Sequence, residues 1–323
     1  MRWEEVSGMT EAVARQRPFK IGLFMPHWEQ PWGRPAPGWT EIAAIARRAE
    51  EVGFDSFWLP DHLLYHFDGV NVQGAWDAWS LLAAVAAVTE RIEIAPLVAC
   101  SSFRNPALIA KMADTLDEIS GGRFILGLGA GWHQPEYDAF GFPYDRRVSR
   151  FAEALQIITA LLRQGHVDFT GTYYSARDCE LRPRGPRPAG PPILIGTSSP
   201  RMLRLTARYA DAWNADRQND LDALQTLTAT VDAACHDVGR DPATLERVVG
   251  IQVDLLNAER SPMQPRQFIK HPWPLTGTPQ ELATQIRRYA EARVAHLLVW
   301  IDPVSIEGIE AFAPVLEELD REA

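Results

Sequence analysis

Short apolar runs and helical stripes alternate eight times along this chain, and that alternation limits the fold more than any other feature. The runs span residues 19–26, 56–59, 92–98, 124–128, 193–196, 212–215, 248–256 and 296–301. Most are apolar on both faces, the pattern of strands buried between two layers. Between them, apolar residues recur at helical spacing: Ile42, Ile45, Ala46, Ala49 and Val52, then Leu81, Leu82, Val85 and Val88. A third stripe is Leu108, Ile109, Met112, Leu116 and Ile119, and a fourth is Phe151, Leu155, Ile158, Leu161 and Leu162. Gly53 and Gly121-Gly122 stop the first and third helices, and Pro106 sits well at a first helical position. Strict strand–helix alternation in 323 residues predicts an α/β fold of the (β/α)8 TIM-barrel type rather than an open sheet. Residues 1–18 are read as an N-terminal extension and 19–323 as a single barrel domain. The rhythm breaks after helix four, at about 166–192, and after strand seven, at about 257–277. Both insertions are expected to act as lids that exclude water and choose the substrate.

A net charge of −10 argues against nucleic acid as a partner, because such binding rests on phosphate neutralisation by Lys and Arg. No apolar run approaches the roughly 18 residues of a membrane helix, so no membrane association is expected. The first 20 residues are charged and lack an apolar core, which predicts a cytoplasmic protein. Cys100, Cys179 and Cys235 are widely separated, and no histidine stands at metal-ligand spacing. Neither a metal site nor a disulfide framework is expected.

In a barrel of this kind the carboxyl ends of the strands carry the site. Those ends hold His27, Trp28, Asp61, His62, residues 98–101, Gly129, Ala130, Gly131, Trp132, Gly196, Thr197, Ser198, Ser199 and Asn214. Glycines at 129 and 131 let backbone N–H groups approach a flat ligand, with Trp132 as an aromatic wall, although a tight strand-to-helix turn explains them too. Gly196-Thr197-Ser198-Ser199 precedes a helix, where hydroxyls, free N–H groups and the helix dipole favour phosphate; a plain N-cap is the other reading. His62 is the candidate for chemistry, since an imidazole titrates near pH 6.5 and can give or take a proton; a purely local role beside Asp61 stays open. His27, Trp28, Tyr65 and His66 are candidate walls of a substrate pocket. Glu136 reads as a charge in a surface turn, with an acid role at the mouth as the alternative. No pair of carboxylates stands on neighbouring strand ends, which disfavours glycoside hydrolysis.

Three stretches then carry a resemblance: residues 103–113, Ile119-Ser120-Gly121-Gly122-Arg123, and Gly127-Leu128-Gly129-Ala130-Gly131-Trp132. With Asp61-His62, Asp77-Ala78-Trp79, residues 208–213 and Gly277-Thr278-Pro279, the chain from about residue 20 onward resembles the bacterial luciferase-like monooxygenase superfamily. Within it, the chain looks most like the branch that uses the deazaflavin coenzyme F420. The resemblance implies an oxidoreductase that moves hydride between F420 and a small organic substrate. An FMN-dependent monooxygenase using reduced flavin and oxygen is the alternative, and a non-catalytic flavin or deazaflavin binder is the second. It implies cofactor contacts from Asp61, Pro96, Leu97, Val98, Gly129, Ala130, Gly131, Trp132 and the 196–199 turn, with His62 beside the ring. It also implies a non-prolyl cis peptide at Leu97-Val98, a flavin or F420 reductase as source of reductant, and a homodimer. In the sugar-phosphate dehydrogenases of the F420 branch the matching histidine pairs with a glutamate just after the strand-four glycines. Trp132 stands at that position here, which points to a less polar substrate. The oligoglutamate tail of F420 would need basic groups at the mouth, for which Arg104, Arg182, Arg184, Arg187 and Lys270 are the candidates.

Overall fold

The computed structural model describes residues 17–29, 35–255 and 274–321. Eight strands form the barrel: β1 (Lys20–Phe24), β2 (Ser56–Leu59), β3 (Glu93–Pro96), β4 (Leu126–Gly129), β5 (Ile193–Gly196), β6 (Ala212–Ala215), β7 (Glu246–Asp254) and β8 (His296–Asp302). They pair in parallel in the order β3-β2-β1-β8-β7-β6-β5-β4. The ring closes through the third strand itself. Its first half pairs with β2, and its continuation Ala99–Cys100, beyond the Leu97-Val98 bond, pairs with Leu128 and Gly129 of β4. A bridge from Ile94 to Phe124 completes the seam. The expected α/β barrel is therefore the observed one, and Leu97-Val98 is cis.

Eight helices surround the strands: α1 (Trp39–Val52), α2 (Ala78–Val88), α3 (Pro106–Ile119), α4 (Arg147–Gln164), α5 (Pro200–Tyr209), α6 (Leu221–Asp237), α7 (Pro279–Glu291) and α8 (Ile306–Arg321). Local chemistry sets their starts. Asp77, Asn105 and Asp220 accept backbone N–H groups of the first turn, and Thr278 with Glu281 forms a reciprocal capping box. On α3 the buried face differs from the expected stripe: Ile109, Ala110, Ala113 and Leu116 are buried, while Leu108 and Ile119 are half exposed. The cause is a second load on that helix. Buried Asp114 and Asp117 receive the Gly185 N–H and the Arg187 guanidinium, so the face is turned to hold residues 184–187.

That contact also overturns the lid expected over 166–192. The hairpin His166–Thr170 and Ser175–Glu180 is tied at its tip by the Glu153 carboxylate, which accepts the N–H groups of Thr172, Tyr173 and Tyr174. Farther along, Arg187 donates to the carbonyl of Phe124, just before β4 begins. A helix-to-strand connection leaves the barrel at the amino ends of the strands, opposite the site, and no residue of 166–192 lines the cavity described below. Residues 256–273 of the second insertion, with Lys270, lie outside the described residues.

The barrel interior is filled by Trp58, Ala95, Ile125, Leu194, Ala212, Val248 and Leu298. Two histidines are locked in as neutral groups. His296 meets the Ser56 hydroxyl at 2.6 Å, Ser56 also accepts the Trp58 indole N–H at 2.6 Å, and burial pushes the His296 imidazole down to about 3. Burial likewise lowers His27 to about 4, against smaller opposing effects from backbone groups of Trp76 and Met25. In the unfolded chain both would titrate near 6.5, so between that pH and the folded values the unfolded state binds more protons. Stability is then fully present above about pH 6.5 and falls on acidification toward pH 4, by on the order of 3 kcal/mol per histidine. Denaturant midpoints followed from pH 7.5 to 4 should show this fall, and His27→Gln should flatten it.

Candidate active site

A cavity of about 910 Å³ opens at the carboxyl ends of the strands. Its walls include Asp61, His62, Leu97, Val98, Gly129, Ala130, Gly131, Trp132 and the whole 196–199 turn, so the histidine and the hydroxyl cluster face one space. Trp28 and Tyr65 line it as well. Three residues expected at the site do not. Pro96 belongs to the barrel strand below, His27 is fully buried behind the wall, and His66 contributes its backbone N–H to His133 Nε2 at 2.9 Å.

Asp61 is buried at the end of β2. Its Oδ2 accepts the Cys100 N–H at 3.0 Å and Arg104 Nη1 at 2.8 Å, and Arg104 also reaches Asp77 at 2.8 Å. Burial raises the Asp61 carboxyl above its ordinary value against the pull of Arg104. This pair fixes the turn after the third strand, and the same turn is gripped from the other side by Tyr137. Tyr137 donates to the Ala130 carbonyl at 2.9 Å and lies 2.9 Å from Cys100 Sγ, whose thiol burial pushes up to about 12.

His62 does not pair with Asp61. Its Nδ1 lies 2.9 Å from Glu136 Oε1, and Glu136 Oε2 accepts the Leu63 N–H at 3.0 Å. Glu136 is 1% exposed, so the reading of a surface turn is corrected. It stands in the first turn of a short helix, Gln134–Phe140, that the periodicity did not reveal. The sequence did hold a signal, because proline and then an acid directly after a strand end is how many helices begin. A carboxylate can only accept, so it holds the proton on Nδ1 and leaves Nε2 as the working nitrogen. The Tyr65 ring lies tilted 4.5 Å from the imidazole and Trp132 meets it edge-on at 5.5 Å. The chain thus supplies from a helix the carboxylate that Trp132 displaces from the strand end.

The remaining walls were not anticipated as such. Phe24 and Trp300, 4.9 Å apart, come from the ends of β1 and β8, and Trp28 and Tyr65 extend that aromatic surface. Arg147 lies over the Tyr144 ring at 3.7 Å, Asn214 is buried at the end of β6, and Arg217 follows it. The basic residues anticipated for an anionic tail are committed elsewhere: Arg104 to Asp61 and Asp77, Arg182 to Glu180, Arg184 to the Leu162 carbonyl, and Arg187 to Asp117.

The lining suits a flat redox ring with one phosphate. A Cβ on Gly129 would lie 2.7 Å from Val98 Cγ2, so the bare glycine leaves Val98 as an apolar platform into the cavity. At the other end Ser199 caps α5 without using its side chain, and Ser198 and Ser199 are exposed donors beside a helix start. Among the described residues no group of three potential metal ligands occurs, and no helix is long and apolar enough to cross a membrane.

The eight-stranded barrel with its cavity at the carboxyl ends matches the luciferase-like fold, and comparison with known proteins agrees. The family described as luciferase-like monooxygenase matches residues 19–261, and the chain belongs to that family of oxidoreductases. Among curated relatives, pyrimidine monooxygenase RutA of Enterobacter cloacae is 36% identical over 208 residues, covering 59% of this chain and 55% of that protein. RutA of Caulobacter sp. strain K31 is 33% identical over 240 residues, covering 70% of this chain and 66% of that one. The chain therefore spans between about half and two thirds of these relatives' length. Among solved structures, an F420-dependent secondary alcohol dehydrogenase superposes with a TM-score of 0.76 at 21% identity, covering 93% of this chain and 99% of that one. The monooxygenase RslO1 of Streptomyces bottropensis superposes with 0.73 at 20%, with the same coverage.

Proposed function

We propose that this chain is an FMN-dependent monooxygenase of small pyrimidine-like heterocycles, served by a separate flavin reductase. The expectation of F420 gives way to its alternative. What supports this is kinship at 33–36% identity to pyrimidine monooxygenases, against 17–21% for the F420-dependent structures of similar fold. Inserting oxygen calls for a flavin rather than a deazaflavin, whose carbon at the reactive position favours hydride transfer. Reduced FMN, when bound, supplies the activation of oxygen.

The protein's own residues do the rest. Val98 supports the ring, with Gly129 leaving the approach open, while Thr197, Ser198, Ser199 and the first N–H groups of α5 hold the phosphate. His62, oriented by Glu136, presents Nε2 to give or take a proton at the reacting substrate. Tyr65 and Trp132 pack against the imidazole, and Phe67 stacks on both of them.

Titration with FMN and with F420 separates the two readings. FMN is expected to bind, and uracil to be consumed only when oxygen, NADH and a flavin reductase are all supplied. Tight F420 binding without FMN binding, or F420 reduction by an alcohol, would reverse the proposal.

A further inference from the structure

We infer that Arg217 is the residue that selects the substrate, by gripping a ring carbonyl oxygen on the Trp300 side of the cavity. The inference rests on the reading of this cavity as a flavin site and names the group that the substrate must carry. Arg217 lines the cavity beyond β6, with its guanidinium 5.4 Å from the Trp300 ring centroid. Its Nε forms an ion pair with Asp216 Oδ2 at 3.2 Å but is buried without a hydrogen-bond partner among the described residues. A planar fork held by an ion pair and an aromatic ring, with unsatisfied donors lining a pocket, suits a carbonyl or imide edge.

The backbone is built to hold it there. Arg217 has φ +52°, in the left-handed region that side chains other than glycine's seldom occupy. The segment is pinned directly after that residue. Gln218 N–H donates to the Gly250 carbonyl at 2.7 Å, and Tyr289 donates to the Gln218 carbonyl at 2.8 Å. Asn219 exchanges both amide bonds with the backbone of Gln252, at 2.8 and 3.0 Å. A Cβ on Gly250 would come within 2.9 Å of Asp216 Oδ1 and 3.3 Å of Arg217 N, so only a bare strand position lets the loop lie this close. Trp300, under the guanidinium, continues into Phe24, Trp28 and Tyr65, a surface for a flat ring. A planar ring with a carbonyl acceptor fits both halves; one without it would cover guanidinium donors without giving them an acceptor.

The test is calorimetric titration of the protein, with and without oxidised FMN, using uracil, barbiturate, succinimide and unsubstituted pyrimidine. Carbonyl-bearing rings are expected to bind the parent at least tenfold more tightly than pyrimidine. Arg217→Gln should weaken them by about 10- to 100-fold, leave pyrimidine unchanged and leave FMN affinity within about threefold; Arg217→Lys should fall between. Equal melting temperatures establish that the variants fold. If the parent binds none of the carbonyl rings, if Arg217→Gln leaves their affinities intact, or if FMN affinity falls by the same factor, the assignment is wrong. Arginine-dependent capture of a carbonyl ring with no FMN binding and no oxygen-dependent turnover would instead overturn the monooxygenase reading and keep this one.

Discussion

His62→Ala should lower oxygen-dependent turnover by about 10²- to 10³-fold while FMN affinity stays within about threefold, the loss expected when a positioned proton donor or acceptor is removed. The pairing with Glu136 sharpens the expectation. Glu136→Gln keeps an acceptor for His62 Nδ1 but removes the charge beside it, and its amide must also face the Leu63 N–H. It should therefore cost less than removing the imidazole, about tenfold. Steady-state rates from pH 5.5 to 8.5 on both variants check this. Full activity in His62→Ala would show that the proton moves elsewhere.

Arg104→Met should cost about 3–5 kcal/mol of stability, the penalty of leaving a buried carboxylate without its partner. Asp61 has few other resources: its Oδ1 has no hydrogen-bond partner among the described residues, and only the Cys100 N–H remains for Oδ2. Its carboxyl already sits above the ordinary value, so in the variant it would take up a proton more readily, and the penalty should shrink on acidification. In linkage terms, a folded-state value raised above the unfolded one means the folded protein binds more protons, and stability falls as pH rises through the window between them. Asp61→Asn in the same chain removes the charge and should return much of the loss. Denaturant melts at pH 5 and pH 8 on the single and double variants measure all three effects.

The barrel was legible because its signal is repeated: buried strands and helical stripes, each weak alone, agree on one closed ring. The place of the 196–199 turn and of the glycines at 129 and 131 on the cavity wall was legible because it follows from their position at strand ends. What escaped depends on contacts across long stretches of sequence. Glu136 reads as surface until the 63–66 loop covers it, and His27 stands at a strand end yet faces away from the cavity. Leu108 and Ile119 look like core until Asp114 and Asp117 are seen to draw residues 184–187 onto α3. The position of the 166–192 hairpin could have been foreseen, since it joins a helix to a strand rather than a strand to a helix.

The seven-residue helix Gln134–Phe140 separates reactivity from scaffold. It brings the histidine's carboxylate and the tyrosine that braces Ala130, yet it sits between barrel elements rather than within one. Exchange of this single module among relatives would change the partner and orientation of the imidazole without disturbing the ring of strands. Variation in chemistry across such proteins can then arise by swapping a cassette at the rim, with the shell left as inherited hardware.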